Sequence, residues 1–158
     1  MHEKIESMKK IFETAIFTRQ AMLDILGSLT AEQFSRIPEG HNNSVFWNIA
    51  HVMVTQQLLT YGLSGQPLIV DDTFVKRYSK GSIASPEVPQ TDVDYVKNNL
   101  LALCKRAEQD FEKGLFQSYR PYMTSTGIEL KTIQDGIEFS AYHDGIHLGV
   151  VLSLKKLV

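Results

Sequence analysis

The chain has 158 residues, is 43% hydrophobic and 22% charged, and carries a formal net charge of -2. That length and apolar content suit one domain with a real core, while the charge balance supplies no basic patch for nucleic-acid phosphates. The longest apolar stretch near the C-terminus, residues 146–154, is too short to cross a bilayer. The charged start, His2-Glu3-Lys4, has no secretory pattern, and a single cysteine, Cys104, forms no intramolecular disulfide. A cytoplasmic setting is expected.

In chain order, four segments show helical periodicity and none alternates like a strand for long. The first spans about residues 4–26, with Ile5, Met8, Phe12, Ala15, Met22 and Leu26 on one seam and Gly27 expected to end it. Residues 29–34 suit a single turn. The second helix spans about 44–63, capped by Asn43 or Ser44, with the seam Trp47, His51, Val54, Leu58, Tyr61. Residues 64–90 hold Gly65, Pro67, Gly81, Pro86 and Pro89 and read mostly as loop. A connection so long can cross a bundle and start the next helix parallel to the second. The third helix is expected to open with Thr91 as cap and Asp94 three residues on, and its seam is Val96, Leu100, Leu103, Ala107, Phe111. Residues 116–131 are irregular, with Pro121 and Gly127. The last helix opens at Thr132, again with an acid three residues on, and runs to about Leu154. Its seam is Ile133, Gly136, Ser140, His143, His147, Val150 or Val151, and Leu154. The fold class is all-α, a four-helix bundle with a long crossover between the second and third helices.

Five histidines are present: His2, His41, His51, His143 and His147. The last two are four apart on one helix, so their rings share a face. His143 and His147 fall on the seam of the fourth helix and His51 on that of the second, which predicts three imidazoles turned inward. Buried imidazole nitrogens need partners; hydrogen bonds can supply them, and so can one shared ion that takes a nitrogen from each ring. His2 and His41 have no such placement and read as surface residues.

Trp47-Asn48-Ile49-Ala50-His51 in the second helix, followed by His143-Asp144-Gly145-Ile146-His147-Leu148-Gly149 in the fourth, resembles the DinB/YfiT-like superfamily. The likeness extends over nearly the whole chain, through the order of the helices, the long connection, and Thr126-Gly127 before the last helix. It implies a divalent metal held by one histidine of the second helix and two of the last, which maps onto His51, His143 and His147. It implies parallel second and third helices, a homodimer, and kinship with thiol-dependent transferases and isomerases acting on small molecules.

Three neutral imidazoles leave the ion's double charge undiminished and a coordination position open, the pattern of a catalytic zinc site. Such an ion acidifies a bound thiol or water. Zinc is expected first, with nickel or iron as other ions that accept imidazole. The expected reaction is transfer to an activated low-molecular-weight thiol, or failing that water; a non-catalytic metal- or ligand-binding bundle is the alternative. Gly136 and Ser140 would leave room beside the ion, and Asn48 and Thr55 flank His51 where they can orient a ligand or substrate; close helix packing explains the same small residues.

Arg19 falls on the seam of the first helix, where a charge is out of place. Three roles fit it: snorkelling to the bundle end, pairing with an internal acid such as Asp144, or holding a substrate carboxylate. The His143-Asp144-Gly145-Ile146-His147 run imitates a metalloprotease pattern, but its acid is the shorter Asp and only eleven residues follow. Cys104, beside the seam residue Leu103, reads as a buried small hydrophobe, and Phe46, Trp47 and Tyr61 read as core. The 64–90 loop is expected to shape the pocket mouth, with Phe74, Arg77 and Tyr78 as its candidates.

Overall fold

A computed structural model describes residues 2–158, with side chains from Glu6 onward; the side chains of His2 and Ile5 lie outside the described residues. Six α-helices and one short hairpin are formed: α1 His2–Ser28, α2 Ala31–Ser35, α3 Val45–Gln57, α4 Asp72–Tyr78, α5 Gln90–Glu112, β1 Tyr122–Met123, β2 Glu129–Leu130 and α6 Ile133–Leu154. The class is all-α, as the periodicity predicts.

The four long helices close a ring in which α1 packs on α6 and α5, and α3 packs on the same two. Met8, Phe12, Ala15, Met22 and Leu26 are all buried along α1, as spacing by threes and fours requires. The helix does not stop at Gly27 but runs through Ser28, whose hydroxyl donates to the Ile25 carbonyl at 2.7 Å. Thr30 and Gln33 then form a capping box for α2.

Ser44 caps α3, its hydroxyl accepting from the Trp47 N–H at 3.1 Å. This helix is buried nearly all round and passes without a break into a π-helical turn, Leu58–Gly62. There the Leu63 N–H reaches back to the Leu58 carbonyl, and the Leu59 carbonyl accepts instead from the Tyr119 hydroxyl at 2.9 Å. Gly136 of α6 passes the same spot so closely that a Cβ on it would lie 2.4 Å from that hydroxyl and 2.8 Å from the Leu59 carbonyl. The glycine is there for helix contact, and it opens no room beside the histidines.

Two stretches read as loop contain structure. Asp71 caps the seven-residue α4 by accepting from the N–H groups of Thr73 and Phe74, and Phe74 and Tyr78, one turn apart, bury themselves in the core. The hairpin pairs Tyr122 with Leu130 and Met123 with Glu129, turning at Gly127 with φ +83°. The expected Thr91 cap is not made: α5 starts earlier, with Pro89 as its cap residue, and the Pro89 carbonyl takes the N–H groups of Asp92 and Val93. The Thr132–Asp135 box opens α6 as its spacing predicts.

The apolar core is divided. One cluster holds Met22, Leu26, Phe46, Leu100 and Val151, and a second holds Met8, Phe12, Tyr61, Cys104 and Ile137. Arg19 and Asp144 lie between the two along α1 and α6, both fully buried. Among the described residues no helix is long and apolar enough to cross a membrane.

Candidate metal centre

The structure brings together His51 from α3 and His143 and His147 from α6. One ring nitrogen from each lies within 4.8 Å of the others. The His143 and His147 Nε2 atoms are 3.1 Å apart; two nitrogens at about 2.0–2.1 Å from one tetrahedral ion stand about 3.3 Å apart. The ring centroids of His51 lie 5.1 and 4.8 Å from those of His143 and His147.

What makes the cluster a donor set is the opposite edge of the rings. His51 Nδ1 sits 2.7 Å from the Tyr78 carbonyl oxygen. A carbonyl only accepts, so Nδ1 carries the proton and Nε2 keeps its lone pair. His147 Nδ1 lies 2.8 Å from Asn48 Oδ1. The Asn48 amide orientation is set by its Nδ2, which donates to the Ser44 carbonyl at 2.8 Å, so His147 is held in the same tautomer. His143 Nδ1 is buried without a partner, and between the neutral rings His143 must donate from Nε2 to His147. Two convergent lone pairs and a third imidazole with an unsatisfied outer nitrogen fit a cation better than they fit one another.

Burial drives all three rings toward the neutral form. The His51 pKa is lowered mainly by desolvation, against the pull of the Tyr78 carbonyl, with Lys80 adding a little. His147 is pushed down to about 4 by burial and the charge of His51, and His143 to about 2 by burial and then by its two histidine neighbours and Arg19. Rings that resist protonation keep their lone pairs at neutral pH.

The seam expectation for α6 needs a correction in detail. His143 and His147 are half-buried, His143 at the wall of a cavity that His51 also lines, and the fully buried position on that turn belongs to Asp144. Asp144 faces Arg19, away from the ring nitrogens that converge. Arg19 Nε donates to Asp144 Oδ2 at 2.7 Å and Nη2 to Oδ1 at 3.3 Å; Nη1 donates to Gln56 Oε1 at 2.8 Å and the Leu100 carbonyl at 3.3 Å, and Nη2 to the Val52 carbonyl at 3.5 Å. All five donors of its fork are engaged inside the core, so of its three expected roles the observed one is the pair with Asp144, and no donor remains for a substrate carboxylate. The same pair withholds Asp144 from any role as a protease base. Cys104 is buried, and burial raises its thiol pKa.

Asn48 is 2% exposed and orients His147. Thr55 lines the cavity, its hydroxyl 3.3 Å from His51 Nε2. Ser140 is buried and does not reach the cavity wall. Phe74, Arg77 and Tyr78 do not line the mouth either; they hold His51 from behind. Tyr78 donates its hydroxyl to Asp92 Oδ2 at 2.7 Å and Arg77 pairs with Asp92 Oδ1 at 2.8 Å, which straps α4 to α5 and so places the Tyr78 carbonyl. Trp47 covers the other face of His51, ring on ring at 4.6 Å and 15°.

The half-open cavity beside the histidines has a volume of about 320 Å³ and is walled by the π-turn, α6 and the hairpin. From the 64–90 loop only Lys80 reaches it; Arg120, Tyr122, Thr124, Ser125 and Thr126 come from the later irregular stretch. Neither cation was singled out by the sequence, since both stand in loops with no periodic neighbours to give their direction.

A helical bundle with a three-histidine cluster beside a half-open cavity defines the class. The family model of the DinB superfamily matches residues 15–151, and the chain belongs to that superfamily. Among curated proteins no match is found.

One consequence is testable on Asn48 alone. Asn48→Ala removes the acceptor that holds the His147 tautomer, and loss of such a supporting hydrogen bond typically weakens metal binding about 10–100-fold. Competition with a chromophoric chelator should show that loss, and an unchanged affinity would mean that helix packing alone orients the ring.

Proposed function

We propose that the chain is a metal-dependent transferase that activates a low-molecular-weight thiol, or failing that water, at His51, His143 and His147. The observation that carries the reading is the convergence of three neutral imidazoles whose outer nitrogens, in His51 and His147, are pinned to oxygen acceptors. When bound there, a divalent ion, zinc first and nickel or iron next, supplies the Lewis acidity that lowers the pKa of a thiol or water. The setting we take for this activity is a cytoplasmic homodimer acting on a small molecule.

The chain's own residues do the rest. Tyr78 and Asn48 hold the donor rings, Trp47 backs His51, and Leu58, Leu59, Leu63, Phe139 and Ile146 give the cavity an apolar wall that limits water. In the transfer, the thiol gives its proton to solvent and its sulfur pair forms the new S–C bond. The leaving group departs from the electrophilic carbon with the bonding pair. Solvent takes the proton because no aspartate or glutamate lines the cavity.

That lack of a carboxylate also favours the second reading, a non-catalytic metal- or ligand-binding bundle. Zinc-loaded protein incubated with a panel of small thiols and monochlorobimane separates the two. The transferase reading expects fluorescent conjugate to form well above the uncatalysed rate, and expects His51→Ala to remove the excess. Protein that holds zinc but accelerates no thiol–electrophile pair in the panel would assign the binding role instead.

A further inference from the structure

We propose that the cavity beside the histidines takes an anion: a small molecule with an apolar body whose carboxylate or phosphate is held by Lys80 and Arg120. The assignment rests on the transferase reading in one respect, that the same cavity admits the substrate, and it names the chemical class of that substrate.

The protein as a whole is slightly acidic, with a net charge of -2, yet the cavity lining contains two cations and no acid. Arg77 pairs with Asp92, Arg106 with Asp110 and Lys131 with Glu129. Among the described residues Lys80 and Arg120 pair with none, and other exposed cations such as Arg36 and Lys97 form no ion pair either; what distinguishes Lys80 and Arg120 is that both line this one cavity. Uncompensated charge of one sign around a partly enclosed, low-dielectric wall concentrates the opposite charge there.

Both cations stand on anchored backbone. The Arg120 N–H donates to the Leu63 carbonyl at 2.7 Å, tying the start of the hairpin segment to the end of the π-turn, and Pro121 stiffens the next residue. Lys80 follows α4 in a turn closed by the Ser82 N–H on the Ser79 carbonyl, with Gly81 at φ +85°. It stands two residues beyond Tyr78, the residue that holds His51. Two separate segments therefore bring one cation each to the same opening, an ammonium and a guanidinium fork suited to a planar or tetrahedral oxyanion. The rest of the wall decides the other end of the ligand. Leu58, Leu59, Leu63, Phe139 and Ile146 offer hydrocarbon on the same wall as those cations and two of the imidazoles, and about 320 Å³ lies within the range that holds a small molecule.

The test uses octanoate, its neutral counterpart octanamide, and octyl phosphate. Trp47, the only tryptophan and stacked on His51, reports binding by its fluorescence, with calorimetry as the second readout. Zinc-loaded and zinc-stripped wild type are compared with Lys80→Ala, Arg120→Ala and the double variant; both residues are exposed, and unchanged melting temperatures confirm that the fold is kept. In stripped wild type octanoate should bind about tenfold more tightly than octanamide. Each single substitution should lose part of that ratio and the double variant nearly all of it. The ratio of octyl phosphate to octanoate then says which oxyanion the site prefers. Equal binding of octanoate and octanamide, no binding of any probe, or a preference that survives in the double variant would overturn the proposal. A preference seen only with zinc loaded, and indifferent to the two substitutions, would place the anion on the ion, ending this assignment while leaving the transferase reading intact. The reverse result, anion preference in stripped protein with no thiol transfer when loaded, would separate the two the other way.

Discussion

Wild-type protein loaded with zinc and desalted should retain about one equivalent of metal, and His51→Ala, His143→Ala and His147→Ala should each retain almost none. The magnitude follows from the ligand count. Structural zinc sites in small peptides contribute about 10–16 kcal/mol spread over four ligands, so one imidazole is worth roughly 2.5–4 kcal/mol, or about two to three powers of ten in affinity. Only three protein nitrogens are offered here, and a site cut to two loses the contest with buffer and water. The pinned outer nitrogens of His51 and His147 sharpen the expectation, because those two rings are held in place whether or not they ligate.

The three variants should nevertheless differ in stability. His51 is 6% exposed beneath Trp47, so truncating it leaves a void and an unpaired Tyr78 carbonyl. His143 and His147 are half-buried, and their loss should cost the stripped protein less. Melting curves with and without zinc distinguish the two effects, since a ligand that binds only the folded state raises its stability with concentration. If metal content is sub-stoichiometric and unchanged by all three substitutions, the histidines are a hydrogen-bonded cluster and no metalloenzyme reading stands.

How much of this could be read in advance depends on periodicity. Met8, Phe12, Ala15, Met22 and Leu26 repeat by threes and fours and give α1 directly. Thr132 with Asp135 marks the start of α6 because a capping box is local chemistry. The histidine cluster was legible for the same reason, two residues four apart on one helix and a third on another seam. Outside the long helices the signals weaken. The seven-residue α4 lies between Pro67 and Gly81, too short for a period to show, although Asp71 as cap and the apolar pair Phe74 and Tyr78 one turn apart do mark it in hindsight. Thr91 and Asp94 looked like a box, but Pro89 ends the preceding chain with an extended ψ of 135° and its carbonyl opens the helix two residues sooner.

At the site the same division holds. The donor residues follow from helix faces, while the groups that tune them do not. The Tyr78 carbonyl reaches His51 only because Arg77 and Tyr78 are strapped to Asp92, a contact between segments. Lys80 and Arg120 come together from two loops that no spacing relates. The expectation that His143 and His147 turn inward to meet His51 holds, but the fully buried position on that turn of α6 is Asp144, and His143 borders the cavity. On that same turn Asp144 forms a buried ion pair with Arg19.

Arg19→Leu should therefore be among the most destabilising single changes in the chain, at about 3–5 kcal/mol, because it strands the Asp144 carboxylate in the core without its partner. Burial already holds the Asp144 pKa above the ordinary carboxylate value, with the guanidinium pulling the other way; without Arg19 nothing opposes the rise. An acid whose folded pKa exceeds its unfolded one loses stability as pH increases, so the deficit of Arg19→Leu against wild type should shrink as pH falls from about 7 to about 5. Urea denaturation at the two pH values checks both sign and size. The double variant Arg19→Leu, Asp144→Leu should recover most of the loss, since a buried pair replaced by hydrocarbon of similar volume is often neutral or better. Recovery of stability need not restore function. Arg19 donates to Asp144 on α6, to Gln56 and Val52 on α3 and to Leu100 on α5, so one side chain locks all four long helices in rotation. Two plain leucines carry no such register, and zinc affinity in the double variant should fall about tenfold although the fold is stable. Wild-type affinity in that variant would show that apolar packing alone turns His143 and His147 toward His51, leaving the ion pair no part in building the site.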